Sequence, residues 1–198
     1  MPTVYLIRHG AIVNPKHILK GRLPGFPLNK KGDALALAAA KLISEPVKTV
    51  FASPLLRCQQ TGEIIAKYKN CPVVTLQDLN EWETQWTGMP ENACVRSKEW
   101  NTFLLDPEHY PITEMYPAMQ ARMLHAYRHI LKSNPRSVSV AVSHGDPICA
   151  LVSVLEGKKN AEYRSGGYPT MGGVVRIVAK NKTDVRPRVD WLTEQEKD

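Results

Sequence analysis

Short apolar runs rich in strand-forming residues alternate with helical stretches along this chain, and that alternation limits its fold more than any other feature. The runs have the length of buried strands, and the stretches between them are long enough to cross over a sheet. The predicted strands are residues 3–7, 49–52, 73–76, 137–142, 174–178 and 185–191. The predicted helices are residues 32–44, 54–68, 114–132 and 147–155. The pattern predicts an α/β fold with a mostly parallel sheet, in which the last two strands form a hairpin.

Length and composition indicate one globular unit. With 198 residues, of which 43% are apolar and 23% charged, the chain can bury a sizeable core. We expect a single domain over residues 1–198, with a cap-like insertion at about residues 80–113, where three of the tryptophans follow no regular period. No apolar stretch is long enough to span a bilayer, and residues 1–10 lack the features of a signal peptide. A cytoplasmic location without a membrane partner is therefore expected.

Charge and metal-ligand spacing narrow the expected partners. The net charge of +7 favours an anionic ligand. The basic residues form no Lys/Arg block, so nucleic acid is not expected as a partner. The four cysteines form no CxxC pair, and His125 and His129 have no third ligand nearby in the sequence, so neither a metal nor a cofactor is expected. Cys149 lies close to His144 in the sequence and is expected to be buried and unreactive. The sequence does not predict the oligomeric state.

Charged residues follow three of the predicted strands at the points where the strands end. Arg8-His9-Gly10 ends the first strand, and Ser143-His144-Gly145 follows the fourth. After the second strand, Ser53 is predicted to cap the next helix, and Arg57 lies one turn inside it. Parallel strands bring these ends to one edge of the sheet, where open α/β folds bind their ligands. Two arginines and two histidines beside helix N-termini predict a phosphate site.

In this order, the motifs resemble those of the histidine phosphatase superfamily, also called the phosphoglycerate mutase-like family. The resemblance covers residues 3 to about 156. The matching residues are Arg8-His9-Gly10, Asn14, Gly21-Arg22, Pro27-Leu28, Gly32, Ser53-Pro54-Leu55 with Arg57 and Thr61, Leu79 with Glu81, Trp86 and Gly88, and Ser143-His144-Gly145. The resemblance implies a three-layer α/β/α sandwich and a phosphomonoester hydrolase that acts on a small phosphorylated metabolite.

The family mechanism that this resemblance implies assigns a role to five residues. His9 would attack phosphorus through a neutral ring nitrogen and form a phosphohistidine. Arg8, Arg57 and His144 would hold the phosphate oxygens and offset their charge in the transition state. Glu81 would protonate the leaving oxygen and then act as the base for the hydrolytic water. No metal would be required, because the arginines supply the positive charge.

The same resemblance implies a wider set of phosphate- and substrate-binding residues. They are Arg8, Gly10, Asn14, Arg22, Arg57, His144 and Gly145. Asn14 would donate to the phosphate, and Gly10 would let the backbone approach the ligand closely. Arg22 would orient the site or the substrate.

Departures from the family pattern leave alternatives open. The family often has Glu-Thr after the first glycine, where this chain has Ala11-Ile12. Glu83 is a second candidate for the proton donor, although Glu81 is preferred. A phosphoglycerate mutase would carry an Arg-His-Tyr run where Trp82-Glu83-Thr84 stands, so the phosphatase is preferred over the mutase. A non-catalytic phospho-ligand-binding protein is the third alternative. Specificity is expected from the insertion and from the loop at residues 166–169.

Overall fold

The computed structural model describes residues 1–107, 109–158, 167–184 and 186–196. The strands are β1 (Thr3–Arg8), β2 (Val47–Ala52), β3 (Val73–Thr75), β4 (Val138–Ser143), β5 (Tyr168–Pro169), β6 (Val174–Val178), β7 (Arg188–Trp191) and β8 (Gln195–Glu196). The helices are α1 (Lys30–Leu42), α2 (Leu56–Lys69), α3 (Glu91–Val95), α4 (Lys98–Leu105), α5 (Tyr116–Ser133) and α6 (Gly145–Glu156), and a 3₁₀ turn lies at Gln77–Leu79.

Six strands form the central sheet, in the order β3-β2-β4-β1-β6-β7. Strands β3, β2, β4 and β1 run parallel to one another, whereas β6 is antiparallel to both β1 and β7. The predicted, mostly parallel α/β sheet is confirmed, as is the antiparallel pairing of the last two predicted strands. Residue 185, the predicted start of the final strand, lies outside the described residues. Because β1, β2 and β4 are parallel, their carboxyl ends meet at one edge of the sheet.

Helices cover both faces of the sheet and give the three layers. Along β1, Val4 and Leu6 belong to the core that β1 shares with α5 and α6, whereas Tyr5 and Ile7 pack with α1 and α2. Successive side chains on a strand point to opposite faces, so a strand buried on both faces must be apolar at every position. This burial explains why the first strand reads as an unbroken apolar run and not as an alternating one.

All four predicted helix starts move by two residues, and the changes at α2 and α6 bear on the site. Helix α2 starts at Leu56, with Leu55 as its N-cap, so the predicted capping role of Ser53 is wrong. The Ser53 hydroxyl instead contacts His144 at 2.9 Å, a long-range partner that local sequence rules do not include. Helix α6 starts at Gly145, two residues earlier than predicted, and it ends as predicted at Gly157, whose φ of 70° is left-handed.

An aromatic cluster organises the segment around the predicted insertion. Its rings lie 4.9–6.0 Å apart between centroids, and its members are Trp82, Trp86, Trp100, Phe103 and Tyr110. The cluster is part of the same core as α5, where Met119 and Met123 are buried as the apolar spacing predicted. The division into one domain with a cap stays a prediction. No helix within the described ranges is long and apolar enough to cross a membrane.

Candidate active site

The carboxyl ends of β1 and β4 bring two histidines together. Arg8 and Ser143 are paired at the last register position of the two strands, so His9 and His144 leave the sheet side by side. Their ring centroids are 5.3 Å apart in an edge-on arrangement, and both residues are buried. The backbone pairing continues past the strands, because the His9 N–H donates to the Ser143 carbonyl at 3.1 Å. The relative position of the two imidazoles is thus set by the sheet itself.

The hydrogen bonds of His9 define which ring nitrogen is available for chemistry. His9 Nδ1 lies 2.8 Å from the Gly10 carbonyl oxygen, which only accepts, so Nδ1 carries the proton. Nε2 then holds a lone pair, and it accepts a hydrogen bond from Arg57 Nε at 3.2 Å. Burial lowers the pKa of His9 well below its ordinary value, and the positive charge of Arg57 lowers it further. The imidazole is therefore held neutral with Nε2 free of a proton.

Arg57 is a fully buried cation at the start of helix α2. Its Nη2 donates to the Gly21 carbonyl oxygen at 2.8 Å, and its Nη2 also lies 4.0 Å from Glu81 Oε2. Its Nη1 is buried, and no group among the described residues accepts a hydrogen bond from it. A buried guanidinium with an unmatched donor beside a neutral imidazole is a suitable binding group for an oxyanion.

Arg8 and Tyr168 form the opposite side of the site. Arg8 Nη1 donates to the Pro169 carbonyl oxygen at 2.7 Å, and its guanidinium carbon lies 4.9 Å from the centre of the Tyr168 ring. Strand β5 thereby fixes the direction of the Arg8 side chain toward the pocket.

His144 contacts a hydroxyl through one ring nitrogen and a carboxylate through the other. Its Nε2 lies 2.9 Å from Ser53 Oγ, and its Nδ1 lies 3.4 Å from Glu81 Oε2. When the Ser53 hydroxyl donates to Nε2, the ring proton sits on Nδ1 and faces the site. Burial and the nearby charge of Arg57 lower the pKa of His144, so this ring is also neutral.

The two candidate acids have different surroundings. Glu81 lines the pocket, and its Oε1 accepts from the Trp82 N–H at 2.8 Å. Burial raises the pKa of Glu81, and the negative charge of Asp146 raises it further, which favours a protonated carboxyl. Glu83 is paired with Arg22 at 2.8 Å and its side chain is 46% exposed. The geometry favours Glu81 as the proton donor, in agreement with the sequence preference.

Two predicted binding residues are engaged elsewhere in this structure. Asn14 uses both ends of its amide locally: Nδ2 donates to the Ile18 carbonyl oxygen at 3.0 Å, and Oδ1 accepts from the Ile18 N–H at 3.3 Å. Arg22 donates to the Glu81 carbonyl oxygen, to Glu83 and to Glu114, so it supports the segment that carries Glu81. Of the two roles expected for Arg22, orienting the site is the one that its contacts match.

The two glycines of the motifs owe their identity to close packing against protein groups. A methyl group on Gly10 would lie 2.4 Å from the Gly32 carbonyl oxygen, at the start of α1. A methyl group on Gly145 would lie 2.1 Å from the Tyr168 hydroxyl oxygen. For Gly10, the structure shows close approach to Gly32, and the expected close approach to a ligand stays a prediction.

A pocket of about 230 Å³ is lined by Arg8, His9 and Glu81 of this group, whereas Arg57 and His144 are fully buried and are not among its lining residues. Its apolar lining residues are Leu19, Trp82, Trp100, Phe103 and Tyr168. The polar lining residues are Arg8, His9, Lys20, Glu81, Thr84, Glu91 and Asp146. Sequence reasoning missed Lys20 and Glu91, which form an ion pair of 3.3 Å. The sequence offers a signal for Lys20, which lies in a long, Gly- and Pro-rich loop of the kind that often carries functional residues. It offers none for Glu91.

Two further residues that the sequence reasoning missed lie behind the pocket. Glu114 precedes α5 and Arg122 lies on it, and both contact the segment around Glu81. No local pattern marks either residue. Among the described residues, no group of three or more histidine, cysteine, aspartate or glutamate side chains is arranged to hold a metal ion. His125, which had a metal-compatible spacing, instead contacts Asp78 at 2.5 Å.

Known proteins resemble this chain in sequence and in fold. The chain is 35% identical over 161 residues to a Mycobacterium tuberculosis protein known as "Uncharacterized protein Rv0525", with 79% of each chain covered. It is 30% identical over 173 residues to "Probable phosphoglycerate mutase GpmB" of Erwinia tasmaniensis, with 83% of this chain and 80% of that one covered. The solved structure of Bacillus stearothermophilus YhfR superimposes with a TM-score of 0.86 at 22% identity, over 97% and 96% of the two chains.

The family assignment rests on a match along most of the chain. The sequence profile of the histidine phosphatase superfamily (branch 1) matches residues 4–187. That range includes both histidines, both site arginines and Glu81. The chain belongs to the histidine phosphatase superfamily.

Proposed function

We propose that this protein is a metal-independent phosphomonoester hydrolase that acts through a phosphohistidine on a small phosphorylated metabolite. One observation carries the proposal: His9 has Nδ1 bonded to the Gly10 carbonyl and a buried, unprotonated Nε2 beside Arg57. A nucleophile in this form needs no separate base to remove a proton, because Nε2 carries none; its lone pair only has to leave the hydrogen bond from Arg57 Nε.

In the first step, His9 Nε2 attacks phosphorus while the bond from phosphorus to the ester oxygen breaks. The leaving oxygen takes the electron pair of that bond and a proton from Glu81, whose raised pKa keeps the proton available. The products of this step are the free alcohol, a phosphohistidine and an ionised Glu81. The Gly10 carbonyl stabilises the positive charge that the imidazole gains, because it accepts from Nδ1.

The transferred phosphoryl group carries negative charge on three oxygens, and three side chains can meet them. Arg57 offers Nη1, Arg8 approaches from the side of β5, and His144 offers its Nδ1 proton. These groups are fixed before the substrate arrives, so little reorganisation is needed in the transition state. Their positive charge and donors are the reason for proposing a mechanism without metal.

In the second step, water attacks phosphorus and the bond from phosphorus to Nε2 breaks. Ionised Glu81 takes a proton from the water, which restores its carboxyl form, and inorganic phosphate leaves. The imidazole recovers its lone pair at Nε2. One carboxyl thus acts as acid and then as base, and both steps need it within hydrogen-bond reach of the reacting oxygen.

Phosphoglycerate mutase is the second candidate, and it is favoured by the 30% identity to a probable mutase. A mutase substrate carries a carboxylate in addition to its phosphate, so it needs cations beyond those that bind the phosphoryl group. Among the described lining residues, Lys20 is the cation besides Arg8, and it is already paired with Glu91. The apolar lining residues better suit a leaving group without a second strong charge.

The test is hydrolysis of p-nitrophenyl phosphate and of a panel of phosphorylated metabolites in the presence of EDTA. We expect turnover with EDTA present and acid-labile phosphate trapped on His9. Loss of turnover on chelation, or label on another residue, would contradict the mechanism. Isomerisation of 3-phosphoglycerate that depends on bisphosphoglycerate would favour the mutase. Phosphate binding without turnover of any substrate would favour a binding protein.

A further inference from the structure

Glu81 lies in a stretch of chain that forms neither a strand of the sheet nor an α-helix. We call residues 78–83 the acid segment. We infer that Arg122 and Glu114 are positioning residues that hold the acid segment, and with it the Glu81 carboxyl, at the reacting oxygen. The inference rests on the proposed function, because it assigns a role to Glu81.

Arg122 reaches the acid segment from helix α5 and satisfies three of its backbone carbonyls. Its Nη1 donates to the carbonyl oxygens of Asp78 and Asn80, both at 2.8 Å. Its Nη2 donates to the carbonyl oxygen of Glu81 at 3.1 Å. Only the planar fork of an arginine can make this set of bonds from one position, since a lysine offers a single nitrogen. The Arg122 side chain is 16% exposed, so its bonds are well shielded from water.

Glu114 lies between two arginines and also bonds to the acid segment directly. Its Oε1 accepts from Arg122 Nε at 2.5 Å, and its Oε2 accepts from Arg22 Nη2 at 2.8 Å. The same Oε2 accepts from the Glu83 N–H at 3.2 Å. Its backbone N–H donates to the Glu83 carbonyl oxygen at 3.0 Å, and its carbonyl oxygen accepts from Trp82 Nε1 at 2.7 Å. Glu114 thus fixes the residues on the far side of Glu81.

These bonds bear on catalysis because the Glu81 carboxyl has to be placed within a narrow range. Its Oε2 lies 3.4 Å from His144 Nδ1 and 4.0 Å from Arg57 Nη2. A displacement of about 1 Å can cost a reaction roughly 10²-fold in rate. Neither Arg122 nor Glu114 lies in the pocket lining. Their effect is therefore expected through Glu81 and not through contact with the substrate.

The test compares two aryl phosphates of similar shape that need the acid to different extents. The 4-nitrophenolate of p-nitrophenyl phosphate leaves readily without a proton, whereas the phenolate of phenyl phosphate is a poorer leaving group. We expect Arg122→Lys and Glu114→Gln to lower kcat/KM for phenyl phosphate by about 10- to 100-fold, part of the 10²–10⁴-fold that general acid catalysis supplies. For p-nitrophenyl phosphate we expect a loss below about threefold, because that step draws little on the acid. An equal loss on both esters, or no loss on either, would overturn the inference.

A matched control and an activity-independent measurement complete the experiment. Arg128→Lys makes the same change at an exposed position further along α5, and we expect no change on either ester. Amide hydrogen exchange at Trp82 and Glu83 should speed up in Arg122→Lys while β1 and β4 stay protected, because the bonds that hold the acid segment are weakened. Unchanged exchange in the acid segment would overturn the inference even if the wild type hydrolysed neither ester, a result that would separately refute the proposed function.

Discussion

The two halves of the site are positioned by different means. We call Arg8, His9, Arg57 and His144 the phosphate half of the site. Each of these residues lies at the end of a strand or at the start of a helix. Backbone pairing between β1 and β4 sets the relative position of His9 and His144. The acid segment has no such pairing. It is held by side chains from several places: Arg122 on α5 and Glu114 before it, Arg22 in the loop before α1, and the Ser143 hydroxyl at the end of β4. The charge-binding half is thus a consequence of sheet topology, whereas the proton-transfer half depends on a few long-range side-chain contacts.

The largest effect is expected at His9, the proposed nucleophile, in the phosphate half. His9→Ala should lower kcat by at least about 10³-fold, because removing a nucleophile leaves only the residual catalysis from binding and electrostatics. The measurement is steady-state hydrolysis of p-nitrophenyl phosphate, with His109→Ala as control because His109 is 75% exposed. Wild-type rates in His9→Ala would show that the strand-end geometry does not carry the chemistry.

A smaller but still large loss is expected at Arg57. Arg57→Lys should lower kcat by about 10²–10³-fold, the range for removing one preorganised donor from a developing oxyanion. The lysine keeps the charge but loses both the bond to His9 Nε2 and the fork that reaches the phosphoryl oxygens. A single-turnover measurement of phosphohistidine formation would detect the loss. Full activity in Arg57→Lys would mean that charge alone is sufficient in the phosphate half.

The acid segment offers a matched pair of glutamates. Glu81→Gln should lower kcat/KM for phenyl phosphate by about 10²-fold or more, since the amide supplies no proton, whereas Glu83→Gln should stay within about threefold. The reason is that Glu81 lines the pocket, while Glu83 is not a lining residue, is paired with Arg22 and is only half-buried. Both variants are assayed on phenyl phosphate under the same conditions. Equal effects at the two positions would contradict the assignment of the proton donor.

The pH dependence of kcat/KM compares the two halves directly, because its acidic limb depends on His9 and its falling limb at higher pH depends on Glu81. We expect the pH of each limb to be shifted from the ordinary value of its residue. His9 must be neutral, so its lowered pKa moves the acidic limb to a pH below the ordinary histidine value of about 6.5. Glu81 must be protonated in the first step, so its raised pKa lets activity persist above the ordinary range of a glutamate and then fall as pH rises. Glu81→Gln should remove that falling limb. An acidic limb at or above the ordinary histidine value would argue against a neutral, desolvated nucleophile.

The phosphate half could be predicted from the sequence because its geometry follows from local patterns. An apolar run that ends in Arg8-His9-Gly10 marks a strand end, and parallel pairing then brings that end to Ser143-His144-Gly145. The three-layer fold follows from the same runs, which are apolar at every position because both faces of the sheet are covered. Strand and helix limits moved by only a few residues between prediction and structure.

The contacts of the acid segment could not be predicted in this way. The apolar period of α5 predicts which face of the helix is buried, but it does not predict that Arg122 meets the acid segment, which comes from a distant part of the sequence. Ser53 was interpreted as a helix cap because serine before proline is a strong capping signal, yet His144 is its partner in the folded chain. Arg22 matches the family motif, but the motif does not state that its donors reach Glu81, Glu83 and Glu114.

The contact between Gly10 and Gly32 has a consequence for how this site can diversify. A methyl group on Gly32 would lie 2.0 Å from the Ala11 carbonyl oxygen, so side chains are excluded on both sides of the junction between the nucleophile loop and α1. Any larger residue at either position would push the loop after His9 and the start of α1 apart, so these two positions leave no room for adaptive change. A library aimed at new substrates is better placed at lining residues outside this junction and away from Arg8, such as Leu19 and Trp100.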